Sequence, residues 1–297
     1  MSYHNPVLLF ESVDGLEIIP NGIYVDVTFG GGGHSKEILK RLGPEGKLYA
    51  FDQDEDALKN KIDDNRFVLI HENFRHIKRF LKFYGVQKVH GILADLGVSS
   101  HQFDEADRGF STRFDAVLDM RMSKGLKISA YEVINHYNES KLSDILFLYG
   151  ELRNAKALAK QIVESREKQQ IKTSFQLKEA LQSFLPKKVE NKILAQIFQA
   201  IRIEVNQELE ALKEFLLQTE ELLVVGGKLS VISYHSLEDR LVKRFMRYGM
   251  FEAEPEKDFY GNVRIPFKKG KLITPSAQEI KRNNRARSAK LRTATKL

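Results

Sequence analysis

Over the first hundred residues, short apolar runs alternate with segments of helical spacing. Gly22–Thr28, Lys47–Asp52, Phe67–Ile70 and Val89–Asp95 are rich in β-branched and aromatic residues, with no polar alternation, which predicts strands buried on both faces. Between them, Ser35–Leu42, Asp54–Lys61 and His76–Phe83 carry apolar residues at three- and four-residue steps and read as helices, the first stopped by Gly43-Pro44. Strand–helix alternation with short connections predicts an α/β fold with a parallel sheet.

After Asp95 the rhythm changes. Residues 96–125 are dotted with glycine and charge, and from Ala130 to about Leu223 the pattern is helical. Thr173–Gln176 has the spacing of a capping box ahead of Leu177, Leu181 and Phe184, and Pro186 should end that helix. Ile193, Ile197, Ile201, Val205, Leu209 and Leu212 form one apolar stripe, expected to pack as core. Strand character returns at Gly227–Ser233, followed by a helix from Leu237 to Tyr248. Val263–Phe267 and Leu272–Thr274 flank a turn at Lys268–Lys271 and read as a hairpin. The simplest organisation is one α/β domain, residues 1–104 and 216–297, interrupted by a helical insertion over residues 105–215.

A length of 297 residues with 42% hydrophobic and 29% charged residues suits a globular chain able to bury a core without staples. Cysteine is absent, which excludes disulfides, thiolate metal sites and cysteine nucleophiles. No secretory signal or membrane span is read, so a cytoplasmic location is expected. The net charge of +7 sits in residues 281–297, which hold seven basic and no acidic residues. That segment reads either as a solvated terminus or as a basic tail for phosphate backbones.

In an open α/β sheet, ligands sit off the carboxyl ends of the strands. Three features fall there: the cluster Gly30–Gly33, Asp52 ending the second strand and Asp95 ending the fourth. Glycines let backbone approach a ligand, a helix start offers N–H groups, and an acid after the second strand suits ribose hydroxyls. A nucleoside-bearing cofactor is expected, either NAD or S-adenosylmethionine. The dinucleotide fingerprint fails, because its third glycine position falls on Ser35 or Lys36. This favours S-adenosylmethionine; a tight turn without ligand stays the plain alternative. His71 and His76 lack partners at metal spacing, and no metal is expected. His235-Ser236 with Glu238 and Asp239 lacks a nucleophile elbow and is not read as a hydrolase.

An ordered set of motifs extends over almost the whole chain: His4–Glu11, Tyr24–Ser35, Asp95–Ser100 with Gln102, Arg108–Ser111, Leu118–Met122, Arg202–Asn206, Ser233–Arg240 and Arg285–Arg292. With these the chain closely resembles the H-type family of 16S rRNA (cytosine-N4)-methyltransferases. It departs from the pattern at Ala116-Val117, Leu152 and Asn284.

The resemblance implies a class I (Rossmann-like) methyltransferase sheet, S-adenosylmethionine as cofactor, and small-subunit ribosomal RNA within an assembled 30S particle as partner. The discontinuous domain would bind the cofactor, and the insertion would recognise substrate. Gly32, Gly33, His34, Asp52, Phe74, Asp95 and Gln102 match the family's cofactor contacts. Phe74 would stack on adenine or belong to the core, and His34 would donate to the cofactor carboxylate or serve its own loop.

Cytosine N4 is a poor nucleophile, so an acceptor for its amino protons is needed; Asp95 is the candidate, unless it only orients the cofactor amine. A missing cysteine fits N4 rather than C5 chemistry, which needs a covalent nucleophile. The target base must be single-stranded or turned out. Arg108, Phe110, Arg113 and Arg121 would clamp it or form an ordinary salt-bridged loop. Arg285, Arg287, Lys290 and Arg292 would track RNA phosphates or fold onto the cofactor domain. An NAD-dependent oxidoreductase and a non-catalytic RNA-binding assembly factor are the remaining alternatives.

Overall fold

The structure, a computed structural model, describes residues 6–252, 255, 259–261 and 263–297. His4, part of the first motif, lies outside the described residues. The chain divides into two units: residues 1–97 with 209–297, and residues 98–208.

The first unit is built on a sheet of seven strands: β1 (Ile23–Asp26), β2 (Lys47–Asp52), β3 (Phe67–His71), β4 (Val89–Asp95), β5 (Leu223–Ser233), β6 (Phe267–Ile273) and β7 (Lys290–Lys296). Their order is β3-β2-β1-β4-β5-β7-β6. Strands β1 to β5 are parallel, and β7 runs antiparallel between β5 and β6. This is the class I methyltransferase arrangement that the resemblance implies. The helices of this unit are α1 (Leu9–Asp14), α2 (Gly33–Arg41) and α3 (Ile77–Phe83), then α10, α11 and α12 given below.

Burial on both faces explains the unbroken apolar runs. Successive residues of a strand point to opposite faces. Thus Val25, Phe51 and Ile92 enter a core with Ile77 and Leu81 of α3, while Tyr24, Leu48 and Leu93 enter another with Ile38 and Leu39 of α2.

The second unit holds α4 (Ser100–Asp104), α5 (Ala130–His136), α6 (Glu139–Leu148), α7 (Ala155–Lys168), α8 (Ser174–Ala180) and α9 (Glu190–Asn206). Its core gathers Leu118, Val133, Leu142, Leu158, Ile197 and Ile201, among others. The capping box at Thr173 forms as the spacing predicts. The Arg202–Asn206 motif has a structural job here. Arg202 pairs bidentately with Glu208 at 2.8 and 3.0 Å. The buried Asn206 amide accepts from Met122 N–H at 2.7 Å and donates to the carbonyls of Met120 and Arg202 at 2.8 and 2.9 Å. Three bonds from one amide pin the irregular segment that carries Leu118–Met122.

The structure departs from two expectations. The stripe from Ile193 to Leu212 is not one helix. Gln207 takes a left-handed conformation (φ +51°) and separates α9 from α10 (Glu208–Leu222). Val205 then packs in the second unit's core and Leu212 in the first unit's. The expected hairpin around Lys268–Lys271 is instead the single strand β6, paired along one side with β7. Its lysines mark a sheet edge, where charge discourages pairing with another chain.

For the basic terminus the sequence left two readings open. The segment is not a loose tail. After α11 (Ser236–Tyr248) and α12 (Ala277–Arg282), a short 3₁₀ turn at Asn284–Ser288 leads into β7. Ala286, Ala289, Leu291 and Ala294 are buried. Of the two readings, folding onto the sheet domain is the one the chain adopts.

Candidate active site at the carboxyl ends of β1, β2 and β4

Strands β1, β2 and β4 each end on an aspartate: Asp26, Asp52 and Asp95. Parallel neighbours bring these ends to one edge of the sheet. The turn after β1 is folded around them. Asp26, fully buried, accepts from Ser35 Oγ at 2.7 Å and from Thr28 N–H at 3.1 Å. Thr28 Oγ1 in turn accepts the N–H of Asp95 at 2.7 Å. Asp52 accepts from Gly30 N–H at 2.7 Å and Asp54 N–H at 2.8 Å. The Asn60 amide reaches back to the Gly30 carbonyl at 3.0 Å.

The glycines are needed for close approach. Gly32 has φ +75°, and a Cβ there would strike the Phe29 ring at 2.9 Å. At Gly33 a Cβ would lie 2.1 Å from Pro6 Cγ. Above Gly30 the space is open, with nothing within 4 Å of a built Cβ. The third position of a dinucleotide fingerprint is filled by Ser35, whose hydroxyl is spent on Asp26.

These residues fit the nucleoside-bearing cofactor expected from the sequence. Each Asp52 oxygen takes one backbone N–H and keeps further acceptor capacity for ribose hydroxyls. Phe74 opens the 3₁₀ turn after β3, half-buried, with its ring edge-on to Phe215 at 5.3 Å. It therefore belongs partly to the core. The loops after β2 and β3 are tied by Asn73 donating to Gln53 at 2.8 Å. His34 starts α2, is buried, and has Nδ1 3.9 Å from Asp95 Oδ2. Burial lowers its pKa to about 4, the Val7 backbone opposing that in part, so the ring is neutral at neutral pH.

The carboxyls are shifted the other way. Withdrawal from water raises Asp26 to about 6 despite its Ser35 and Thr28 hydrogen bonds, and Asp52 to about 6 despite its two backbone donors. Asp95 is raised to about 7 by the same cause, while the Tyr234 hydroxyl, donating to Oδ1 at 2.8 Å, pulls it down. Its side chain stays 23% accessible.

A pH dependence of stability follows. For Asp26, Asp52 and Asp95 the folded pKa exceeds the unfolded one, so the folded chain binds more protons and stability rises as pH falls through those values. His34 works against this, its folded pKa lying below the unfolded one. Three groups outweigh one. The thermal midpoint of the ligand-free protein is expected to rise between about pH 7 and about pH 5.5, and Asp52→Asn should flatten part of that rise. Calorimetry across this range checks it; a midpoint falling on acidification would contradict the assignment.

Sequence reasoning missed Asp26, Thr28 and Tyr234 as members of this cluster. Tyr234 follows directly on β5, the strand that pairs with β4, a pairing for which the sequence carries no local signal. The Ser233–Arg240 motif builds that corner. Glu238 accepts the N–H groups of Tyr234 (2.9 Å) and His235 (3.4 Å), and closes a capping box on α11. Asp239 holds β7 through Lys290 at 3.2 Å and Arg292 at 2.7 and 3.2 Å.

The residues expected to contact RNA are divided. Lys290 and Arg292 are engaged by Asp239, whereas Arg287, on the turn before β7, is exposed and Arg285 half-exposed. In the second unit, Arg108 is buried and donates to the carbonyls of Arg121 and Met122, both at 3.1 Å. Phe110 lies in that unit's core. Arg121 pairs with Asp119 at 2.7 and 3.0 Å, and Arg113 is exposed. Arg108 and Arg121 thus act within their own loop. Gln102 is buried and completes the capping box of α4 with Ser99.

Comparison with known proteins adds the last finding. A family model described as the MraW methylase family matches residues 1–297. A protein of Christiangramia forsetii named ribosomal RNA small subunit methyltransferase H is 70% identical, covering 100% of this chain and 99% of its own length. Proteins of the same name from Flavobacterium johnsoniae and Bacteroides thetaiotaomicron are 68% and 53% identical, each covering 100% of this chain and 99% and 98% of theirs.

Proposed function

The chain belongs to the MraW methylase family, and from that membership we propose that it methylates N4 of a cytidine in the decoding region of small-subunit ribosomal RNA, using S-adenosylmethionine. The names of its relatives support rRNA methylation by a methyltransferase. Choice of N4 is supported by the chain's chemistry. Methylation at C5 requires a covalent nucleophile, normally cysteine, and the chain has none. The observation that carries the reading is Asp95, a partly accessible carboxyl at the end of β4 beside the glycine turn, its N–H held by Thr28 and its Oδ1 by Tyr234.

When bound, S-adenosylmethionine would supply an electrophilic methyl group for the N4 lone pair, with the thioether sulfur as leaving atom keeping the electrons of the broken C–S bond. The chain's own residues do the rest. Asp52 and the turn at Gly30–Gly33 would hold the nucleoside. Asp95 accepts a hydrogen bond from the exocyclic amino group, which localises the nitrogen lone pair. It then takes the proton that the quaternised nitrogen must lose. A carboxyl with a pKa of about 7 is matched to that task, since a large fraction is ionised at neutral pH while the acid remains stable enough to form.

The exposed Arg113 and Arg287 are the candidates for RNA phosphates, and the substrate would be the 30S particle in the cytoplasm. No helix among the described residues is long and apolar enough to cross a membrane.

The test is nucleoside mass spectrometry of small-subunit RNA from cells with and without the gene. The expected result is loss of one N4-methylcytidine signal, restored by the full chain. An unchanged spectrum would overturn the proposal.

A further inference from the structure

The reaction assigned to Asp95 demands more than a carboxyl at the right place. A carboxylate rotates easily about its last torsion, and its two oxygens are equivalent until something distinguishes them. The backbone of Asp95 is fixed by the β4 ladder and by Thr28 Oγ1. That sets Cβ, not the plane of the carboxylate.

We propose that Tyr234 is a positioning residue for methyl transfer: its hydroxyl holds Asp95 Oδ1 and leaves Oδ2 as the oxygen presented to the substrate amino group. This rests on the reading of Asp95 as the proton acceptor. The geometry is specific. Tyr234 Oη donates to Oδ1 at 2.8 Å, whereas Oδ2 has His34 Nδ1 at 3.9 Å, beyond hydrogen-bond reach. The tyrosine is itself held. Its N–H is bound by the buried Glu238, and the following helix α11 is capped by the same side chain.

Charge keeps the donor a donor. Burial and the neighbouring Asp95 raise the Tyr234 hydroxyl well above its ordinary pKa, so it stays protonated. The titratable groups around Asp95 are Tyr234 after β5, His34 on α2, Asp26 ending β1 and Glu238 on α11. His34 is neutral, and the two acids push Asp95 towards protonation. Tyr234 favours the carboxylate, the form that accepts a proton.

The experiment compares full-length wild type and Tyr234→Phe with small-subunit particles and methyl-labelled S-adenosylmethionine. For Tyr234→Phe, kcat is expected to fall about 10- to 100-fold, the loss of one hydrogen bond to a charged group. Affinity for S-adenosylmethionine, by calorimetry, should stay within about twofold. The acid limb of the kcat/KM profile should move up by about half to one pH unit, because the donor that favours the carboxylate is gone. An unmoved acid limb overturns the proposal, whether or not cofactor affinity falls. Should Tyr234→Phe fail to fold, an ortho-fluorinated tyrosine at position 234, a stronger donor of nearly the same shape, should move the limb down; no movement overturns the proposal. Wild type that transfers no methyl would instead retire the functional reading itself.

Discussion

Asp95→Asn is expected to lower kcat for methyl transfer by about 10²- to 10⁴-fold, the usual cost of losing a positioned proton acceptor. Asparagine has nearly the same shape, and its carbonyl oxygen still accepts from the Tyr234 hydroxyl, so the corner between β4 and β5 should persist. What disappears is the ability to take a proton. Cofactor affinity discriminates the two roles considered for this residue. An acceptor role predicts a large loss in kcat with S-adenosylmethionine affinity changed less than about tenfold, because the interaction matters only as the nitrogen becomes cationic. A role confined to orienting the cofactor amine predicts weakened affinity and recovery of kcat at saturating cofactor. Single-turnover transfer with calorimetric binding separates them.

Deleting residues 281–297 is expected to abolish cooperative unfolding of the sheet unit. Had this basic segment been an appended arm, its removal would spare the folded domain and weaken only RNA binding. It is instead β7, paired over Lys228–Ser233 of β5 on one side and with β6 on the other. Removal would strip the ladder from β5, detach β6 and expose the core beneath Leu291 and Ala294. Leu291 alone, fully buried, contributes about 1.5–3 kcal/mol. With the lost pairing and an Asp239 left without Lys290 and Arg292, the total approaches the 5–15 kcal/mol that typically holds a whole domain, roughly speaking. Differential scanning calorimetry of the truncated chain should lose the sheet unit's share of the unfolding enthalpy; a melt like that of the full chain would contradict this account.

Much of the first unit is legible from residue patterns because its strands are parallel and covered on both faces. Val89–Asp95 is apolar almost throughout, and its end is marked by an acid that the sheet interior does not tolerate unpaired. The glycine turn and Asp52 stand out for the same reason: neither suits a buried strand interior. Patterns failed where charge and structure pull apart. In β6 the exposed Lys268, Lys269 and Lys271 belong to an edge and look like a turn. In β7 the cations hide the inward-facing Leu291 and Ala294, whose spacing was open to view. The stripe across Gln207 misled because helical periodicity carries no information about which core each turn enters. Among the expected site residues, those defined by strand ends came together, while Arg108 and Arg121 turned out to satisfy carbonyls and Asp119 within their own loop. The Tyr234–Asp95 pair is out of reach of single-sequence reading, since nothing local says that β5 lies beside β4.

That adjacency has a consequence for how the chain acquires its activity. On the proposed reading, the half that would hold the nucleoside, from Gly30 to Asp52, is joined by contacts spanning 22 and 30 residues of chain. The half proposed to carry the reaction requires β4 to find β5 across the entire intervening unit, a closure of higher contact order that is expected to come later in refolding. A chain halted before that closure has the parts for a nucleoside site but no oriented proton acceptor, so catalytic competence, more than ligand capture, reports completion of the native topology.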